Sequence, residues 1–307
     1  MLYDFVLLMN RDLARLNRAR RASRRMPRFV FHALVRAIGL GIFLFAGGFR
    51  RTVAANMRTA MPELGRIGAL RATGRYLRLV SLTMIEQAVD YDELNRTGMA
   101  NFTVTGLEHI DRVLEEGQGC IVVAPHVGNY FYYYWVLCQR YRCQTVITGA
   151  GRDILPMYLG FHAATGCTGY DFDGEPPARL YGRLRQHLFE NGVVYLLSDF
   201  HRPNFVPTEL LGLPNRTPGG AVALAMAQEV PVVPLVGHRT RGSRHAVRIG
   251  PPVRLHERFR TGEEAEANRE IARMMERGIR EHPDQWFYWF NVHERWAAAR
   301  RDEGASA

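Results

Sequence analysis

Ile121-Val-Val-Ala-Pro125-His126-Val-Gly128-Asn129-Tyr130-Phe131 is the stretch on which the reading of the fold turns. The uninterrupted apolar run 121–124 reads as a strand buried on both faces, as in a parallel sheet. Pro125 ends the ladder, having no N–H to give. His126 follows where strand passes into loop, Gly128 frees the backbone to turn, and the aromatic run 130–135 opens a helix. The carboxyl end of a central strand is where open α/β sheets bind their ligands. A lone histidine is more often a core residue bonded to backbone, so the rest of the chain has to shift that balance.

Further apolar, β-branched runs predict strands at 144–148, 193–198 and 230–236, the last running into Gly237, with 246–249 as an edge strand. Helical periods recur over 64–91 and after Gly106, and helices at 178–190 and 217–228 separate the later strands. A closing helical segment spans 263–290. Alternating helices and strands of this kind predict an α/β fold: a mostly parallel central sheet flanked by helices. At 307 residues the chain is long enough for one large domain, expected over 63–307 and preceded by a helical membrane-anchoring extension over 1–62.

Charge marks the same division. All 40 basic residues are arginine, which excludes lysine Schiff-base chemistry and lysine-dependent phosphate loops. Residues 1–60 hold twelve arginines against Asp4 and Asp12, an excess equal to the +10 of the whole chain. Such a segment seeks an anionic surface, lipid head groups or nucleic acid. Residues 1–25 read as an amphipathic helix with Phe5, Leu8, Leu13 and Leu16 on its apolar side, broken at Pro27. The apolar stretch 29–49 carries His32 and Arg36; only 37–49 is uncharged, short of the roughly 20 residues a clean span needs. An in-plane or re-entrant anchor is the expectation, with an ordinary core helix as the other reading. Residues 2–9 are too short an apolar run for a signal peptide. Cys120, Cys138, Cys143 and Cys167 form no C-x-x-C pair, and the eleven histidines show no metal-ligand spacing, so reduced thiols and no metal are expected.

Several separated segments share one order. Arg50-Arg51-Thr52-Val53 and residues 56–62 come first, then Pro125-His126-Val-Gly128-Asn129. Asp199-Phe-His201-Arg202-Pro203, Thr217-Pro-Gly219-Gly220 and Val230-Pro-Val-Val-Pro234 follow, then His282-Pro-Asp-Gln-Trp286 and Arg295-Trp296. Over about the whole chain this resembles the bacterial lipid A late acyltransferases and the related phosphatidylinositol-mannoside acyltransferases, of the lysophospholipid acyltransferase superfamily. The resemblance implies acyl transfer from a thioester, acyl carrier protein or acyl-CoA as co-substrate and no bound cofactor, to a hydroxyl of a lipid. It implies peripheral or monotopic attachment to an anionic membrane surface, the cytoplasmic face of the plasma membrane.

The family signature is a histidine followed, after four spacers, by Asp or Glu. The histidine serves as general base and the carboxylate orients it. His126 fits the first role, whereas the position five residues on is Phe131. Asp199, at the end of a predicted strand, is the first substitute, and Glu209 a weaker one. His201 stands where the family has a second acid. By the same resemblance Asn129, Arg152, His201, Arg202, Gly219 and Gly220 are the expected substrate-binding residues, and the aromatic run after Asn129 suits an acyl groove. Loss of the signature acid leaves two other readings open. One is a specialised acyl or aminoacyl transferase acting on an amine or hydroxylamine in secondary metabolism; a charged tRNA is one donor open to it, with the basic N-terminus then its binding arm. The other is a catalytically degenerate lipid-binding protein.

Overall fold

The computed structural model describes residues 13–147 and 155–305. Four helices come first: α1 Leu13–Arg25, α2 Arg28–Phe45, α3 Gly47–Ala60 and α4 Gly65–Val89. Pro27 separates α1 from α2 and sits just ahead of the first turn, where its missing N–H costs nothing. Residues 1–12 of the expected first helix lie outside the described residues. Where α2 crosses α4 the chain has Gly39, and a Cβ there would stand 2.7 Å from the Arg78 Cα, so only glycine allows the approach.

The α/β part follows as α5 Asp92–Thr97, β1 Phe102–Thr105, α6 Leu107–Glu115, β2 Cys120–Ala124, α7 Tyr130–Cys138 and β3 Cys143–Ile147. Next come α8 Leu155–Thr165, β4 Thr168–Asp171, α9 Pro177–Phe189 and β5 Val193–Leu197. A hairpin of β6 Val206–Leu210 and β7 Leu213–Thr217 leads into α10 Gly220–Gln228 and β8 Val232–Arg241. The chain then runs through β9 Arg244–Ile249, α11 Leu255–Arg258, α12 Glu264–Glu281 and α13 Val292–Ala305.

Seven strands form one sheet in the order β1-β9-β8-β2-β5-β3-β4. Every neighbouring pair is parallel except β8 with β9. The central strand β2 is buried along its whole length. Its side chains alternate between two cores, which is why its sequence shows no polar alternation. Ile121 and Val123 face a core shared with the N-terminal helices, through Phe31, Val35, Val53 and Met57. Cys120, Val122 and Ala124 face α6, α7 and α8. The N-terminal helices and the sheet therefore share one continuous core.

The predicted strands and helices are present, with shifts that have physical causes. Residues 246–249, expected at an edge, belong to β9 and lie one strand in, because β1 pairs outside it. The strand β1 alternates exposed threonines with half-buried Phe102 and Val104 over only four residues, too short and too polar to stand out in the sequence. The helix expected from 217 starts at Gly220, since Thr217 precedes Pro218 and is held extended at the end of β7.

A buried ion pair ties α4 to β8. Arg239 donates to Glu86 Oε2, and both side chains are almost wholly buried. Burial pushes the Glu86 carboxyl up from its usual range, and the Arg239 charge with the Asn129 amide partly pulls it back. Removing one partner strands the other charge in the core, which costs about 3–5 kcal/mol. Glu86→Ala is expected to lose that much stability in urea unfolding, whereas an exposed pair such as Arg140–Asp111, cut by Arg140→Ala, should cost under about 1 kcal/mol.

Candidate active site

The register of two parallel strands makes the site. Ala124 of β2 is paired with Leu197 of β5, so the residues two positions beyond, His126 and Asp199, emerge side by side. The Ser198 amide still donates to the Ala124 carbonyl at 3.0 Å, which continues the alignment past the strand ends. After His126 the chain turns at Gly128, whose φ is +62°. A Cβ there would lie 2.3 Å from the Tyr133 hydroxyl, so glycine serves both the backbone conformation and the space.

Asp199 is fully buried, and its carboxylate accepts three hydrogen bonds. Its Oδ1 accepts from His126 Nδ1 at 2.5 Å, while its Oδ2 accepts from the His126 amide at 2.9 Å and from the Trp286 indole N–H at 2.7 Å. Burial alone would raise this carboxyl, but the His126 ring, the indole and the His126 amide outweigh it and hold Asp199 below the usual carboxylate range. Arg295, also buried, donates to the Asp199 backbone carbonyl at 3.0 Å. With Nδ1 donating to a carboxylate, the free lone pair of the neutral imidazole is on Nε2. Tyr288 Oη lies 3.3 Å from that nitrogen.

Beside the histidine is a cavity of about 560 Å³. Its wall is mainly apolar and includes Tyr130, Phe131, Tyr158, Leu184, Phe200 and Leu224 together with His126. Phe131 stacks on Tyr158, centroids 5.0 Å apart and planes 13° from parallel, and presents no group able to orient an imidazole. Gly219, Gly220 and Ala221 bring the start of α10 to the same wall. The first-turn amides of a helix have no helical acceptors and remain available to a ligand oxygen.

Among the residues singled out by sequence, the fold brings His126 and Asp199 into contact and puts Gly219, Gly220 and Phe131 on the cavity. The others are placed elsewhere. Asn129 is fully buried behind the loop and donates to Glu86 Oε2 at 3.0 Å. His201 Nδ1 is 3.2 Å from Asn215 Oδ1. Arg202 pairs with Asp173 at 2.8 Å and lies over the rings of Phe172 and Phe200. Glu209 is exposed, in a groove flanked by Arg269 and Arg273. Arg152 lies outside the described residues.

Trp286, Tyr288 and Arg295 complete the surroundings of the histidine, and sequence reasoning gave them no role. The only signal was the His282-Pro-Asp-Gln-Trp286 run with Arg295-Trp296, whose residues are far from position 126 in the chain. Backbone pairing brings them in: Phe287 N–H donates to His126 O at 2.8 Å and Gly128 N–H to Gln285 O at 3.0 Å.

Residues 18–298 match the family described as bacterial lipid A biosynthesis acyltransferase. A phosphatidylinositol mannoside acyltransferase of Mycobacterium tuberculosis (strain ATCC 25618 / H37Rv) is 26% identical over 182 residues, 57% of this chain and 54% of that protein. The chain thus spans about half the length of this curated relative. With more than half of its residues matched, the chain belongs to the lipid A biosynthesis acyltransferase family.

A hydrogen bond to a buried charged group contributes about 1.5–3 kcal/mol. Trp286→Phe keeps a ring but removes the N–H on Asp199 Oδ2. Chemical denaturation is expected to show a loss of about that size, with the circular dichroism spectrum of the folded state unchanged.

Proposed function

From that family membership we propose that the protein transfers an acyl group from a thioester, on acyl carrier protein or coenzyme A, to a hydroxyl of a lipid or amphiphilic acceptor. His126 acts as general base and Asp199 as the carboxylate that orients it. The observation that carries this reading is the Asp199 Oδ1 to His126 Nδ1 bond of 2.5 Å, made where the signature position holds Phe131. In this scheme Nε2 takes the proton of the acceptor hydroxyl as its oxygen attacks the thioester carbonyl carbon. The tetrahedral intermediate collapses with cleavage of the C–S bond, and the imidazolium returns the proton to the departing thiolate. Asp199 remains ionised throughout, fixing the tautomer and stabilising the imidazolium. The amides at the start of α10 offer donors for the oxyanion, and the apolar wall around Phe131 and Tyr158 takes the hydrocarbon chain.

The N-terminal helices support work at a lipid surface. Among the described residues α2 is the one helix long and apolar enough to cross a membrane, and most of it is not covered by protein. Phe29 and Phe45 are 77% and 88% exposed, and Leu34, Ile38, Leu40 and Leu44 are exposed between them. The opposite face, with Phe31, Val35 and Gly39, packs into the core and against α4. A helix bound to its own domain along one side and apolar on the other suits an in-plane anchor, with Arg36, Arg51 and Arg58 exposed toward anionic head groups on the cytoplasmic leaflet.

An assay of purified protein with acyl thioesters and extracted bacterial lipids, reading free thiol and acylated lipid, tests the chemistry. His126→Ala and Asp199→Asn are each expected to lower turnover by about 10³- to 10⁴-fold, on the scale of triad removal in serine hydrolases. Restoring an acid with Phe131→Glu should give Asp199→Asn no rescue, because that side chain is committed to the cavity wall. Equal background rates in wild type and His126→Ala would dismiss the enzyme reading, and full activity in Asp199→Asn would dismiss the carboxylate assignment. For the anchor, Leu34→Glu with Leu44→Glu is expected to abolish sedimentation with anionic phospholipid vesicles while leaving the fold intact; undiminished binding would refute it.

A further inference from the structure

Tyr288 is the group that faces the reactive nitrogen of His126. Its hydroxyl is 3.3 Å from Nε2, and its ring meets the imidazole edge-on, centroids 4.8 Å apart at 66°. Behind it stands Arg295, whose guanidinium carbon lies 3.7 Å from the centre of the Tyr288 ring. The same guanidinium holds the Asp199 backbone carbonyl at 3.0 Å. One buried cation therefore braces both residues whose side chains hydrogen-bond the imidazole.

Arg295 makes no ion pair with a carboxylate among the described residues, although a buried charge left without a partner costs several kcal/mol. Its other compensation is the face of the Tyr288 ring. Burial pushes the Tyr288 phenol far above its usual value, with the Arg295 charge pulling only part of the way back. The hydroxyl is accordingly protonated, and toward the lone pair of Nε2 it is the donor.

Resting on the base role of His126, we propose that Tyr288 is a positioning residue of the reaction: its hydroxyl pins Nε2 as Asp199 pins Nδ1. The ring is thereby held at both nitrogens in the unliganded enzyme. A bond of 3.3 Å is long for an O–H donor and gives way when the acceptor hydroxyl arrives to hand over its proton. The Tyr288 side chain makes no covalent bond and loses no proton in this role. What it supplies is a ring already in the attack orientation, and misplacement of a catalytic group by about 1 Å is enough to cost about 100-fold.

Tyr288→Phe keeps the ring under Arg295 and removes only the hydroxyl. Two measurements on the full chain separate the contact from the chemistry. In protein carrying ¹⁵N-labelled histidine, without substrate, the variant is expected to shift the His126 Nε2 resonance while the Nδ1 resonance bonded to Asp199 stays. With an acyl thioester and lipid acceptor, kcat is expected to fall about 10- to 100-fold with KM within about threefold of wild type, the pattern of a lost transition-state geometry. An unmoved Nε2 resonance overturns the pin whatever the rates do. A shifted resonance with unchanged kcat overturns the reaction role, as does a rise in KM with kcat intact. A shifted resonance in a protein whose wild type turns over no thioester defeats the acyltransfer reading itself and, with it, the role assigned to Tyr288; the contact alone survives.

Discussion

Everything at this site depends on how β2 and β5 are aligned. Because Ala124 is opposite Leu197, two residues 73 positions apart leave the sheet at the same level and meet as His126 and Asp199. A slip of one residue would turn each side chain to the other face of the sheet. That register is in turn fixed by the burial of both faces of β2, so the chemistry of the site is secured by the packing of the two cores. A carboxylate wholly removed from water is tolerable only when its oxygens are satisfied, and the ring, the amide and the indole do this.

The C-terminal segment serves the same end. Residues 285–288 run beside the loop after β2 and exchange backbone bonds with it on both sides of Val127, the residue next to His126. The segment also supplies the indole and the phenol that flank the dyad. Packing of Trp286 and Trp289 into the core with the N-terminal helices links this arrangement to α3 and α4, where Asn56 donates to the Trp289 carbonyl at 2.7 Å. The N-terminal helices and the dyad are thus parts of one packed body.

How much of this could be read in the sequence follows from what each residue does. The strand under His126 was legible because a fully apolar run ended by Pro125 has few other meanings. The approach of Asp199 was suggested by its place at a strand end; its contact with Nδ1 required knowing that β5 lies next to β2, with β3 one strand further out. Asn129 shares the histidine loop, which points it toward substrate, yet its amide turns inward to Glu86, a partner 43 positions earlier that no spacing reveals. Tyr288 and Arg295 were illegible for the same reason: aromatic and arginine residues are common in this chain, and only the fold singles out these two. The hairpin of β6 and β7 was missed because Pro207 and Pro214 within it argue against strands.

The stacking of Phe131 on Tyr158 has a further consequence. In a signature built on neighbouring residues, the orienting group and the lining of the binding space are confined to one helical turn, and neither can vary without the other. Here the orienting group is on a different strand. Under the proposed chemistry position 131 is left with a purely steric task, so its bulk can drift to suit longer or shorter tails while the proton transfer next door stays untouched.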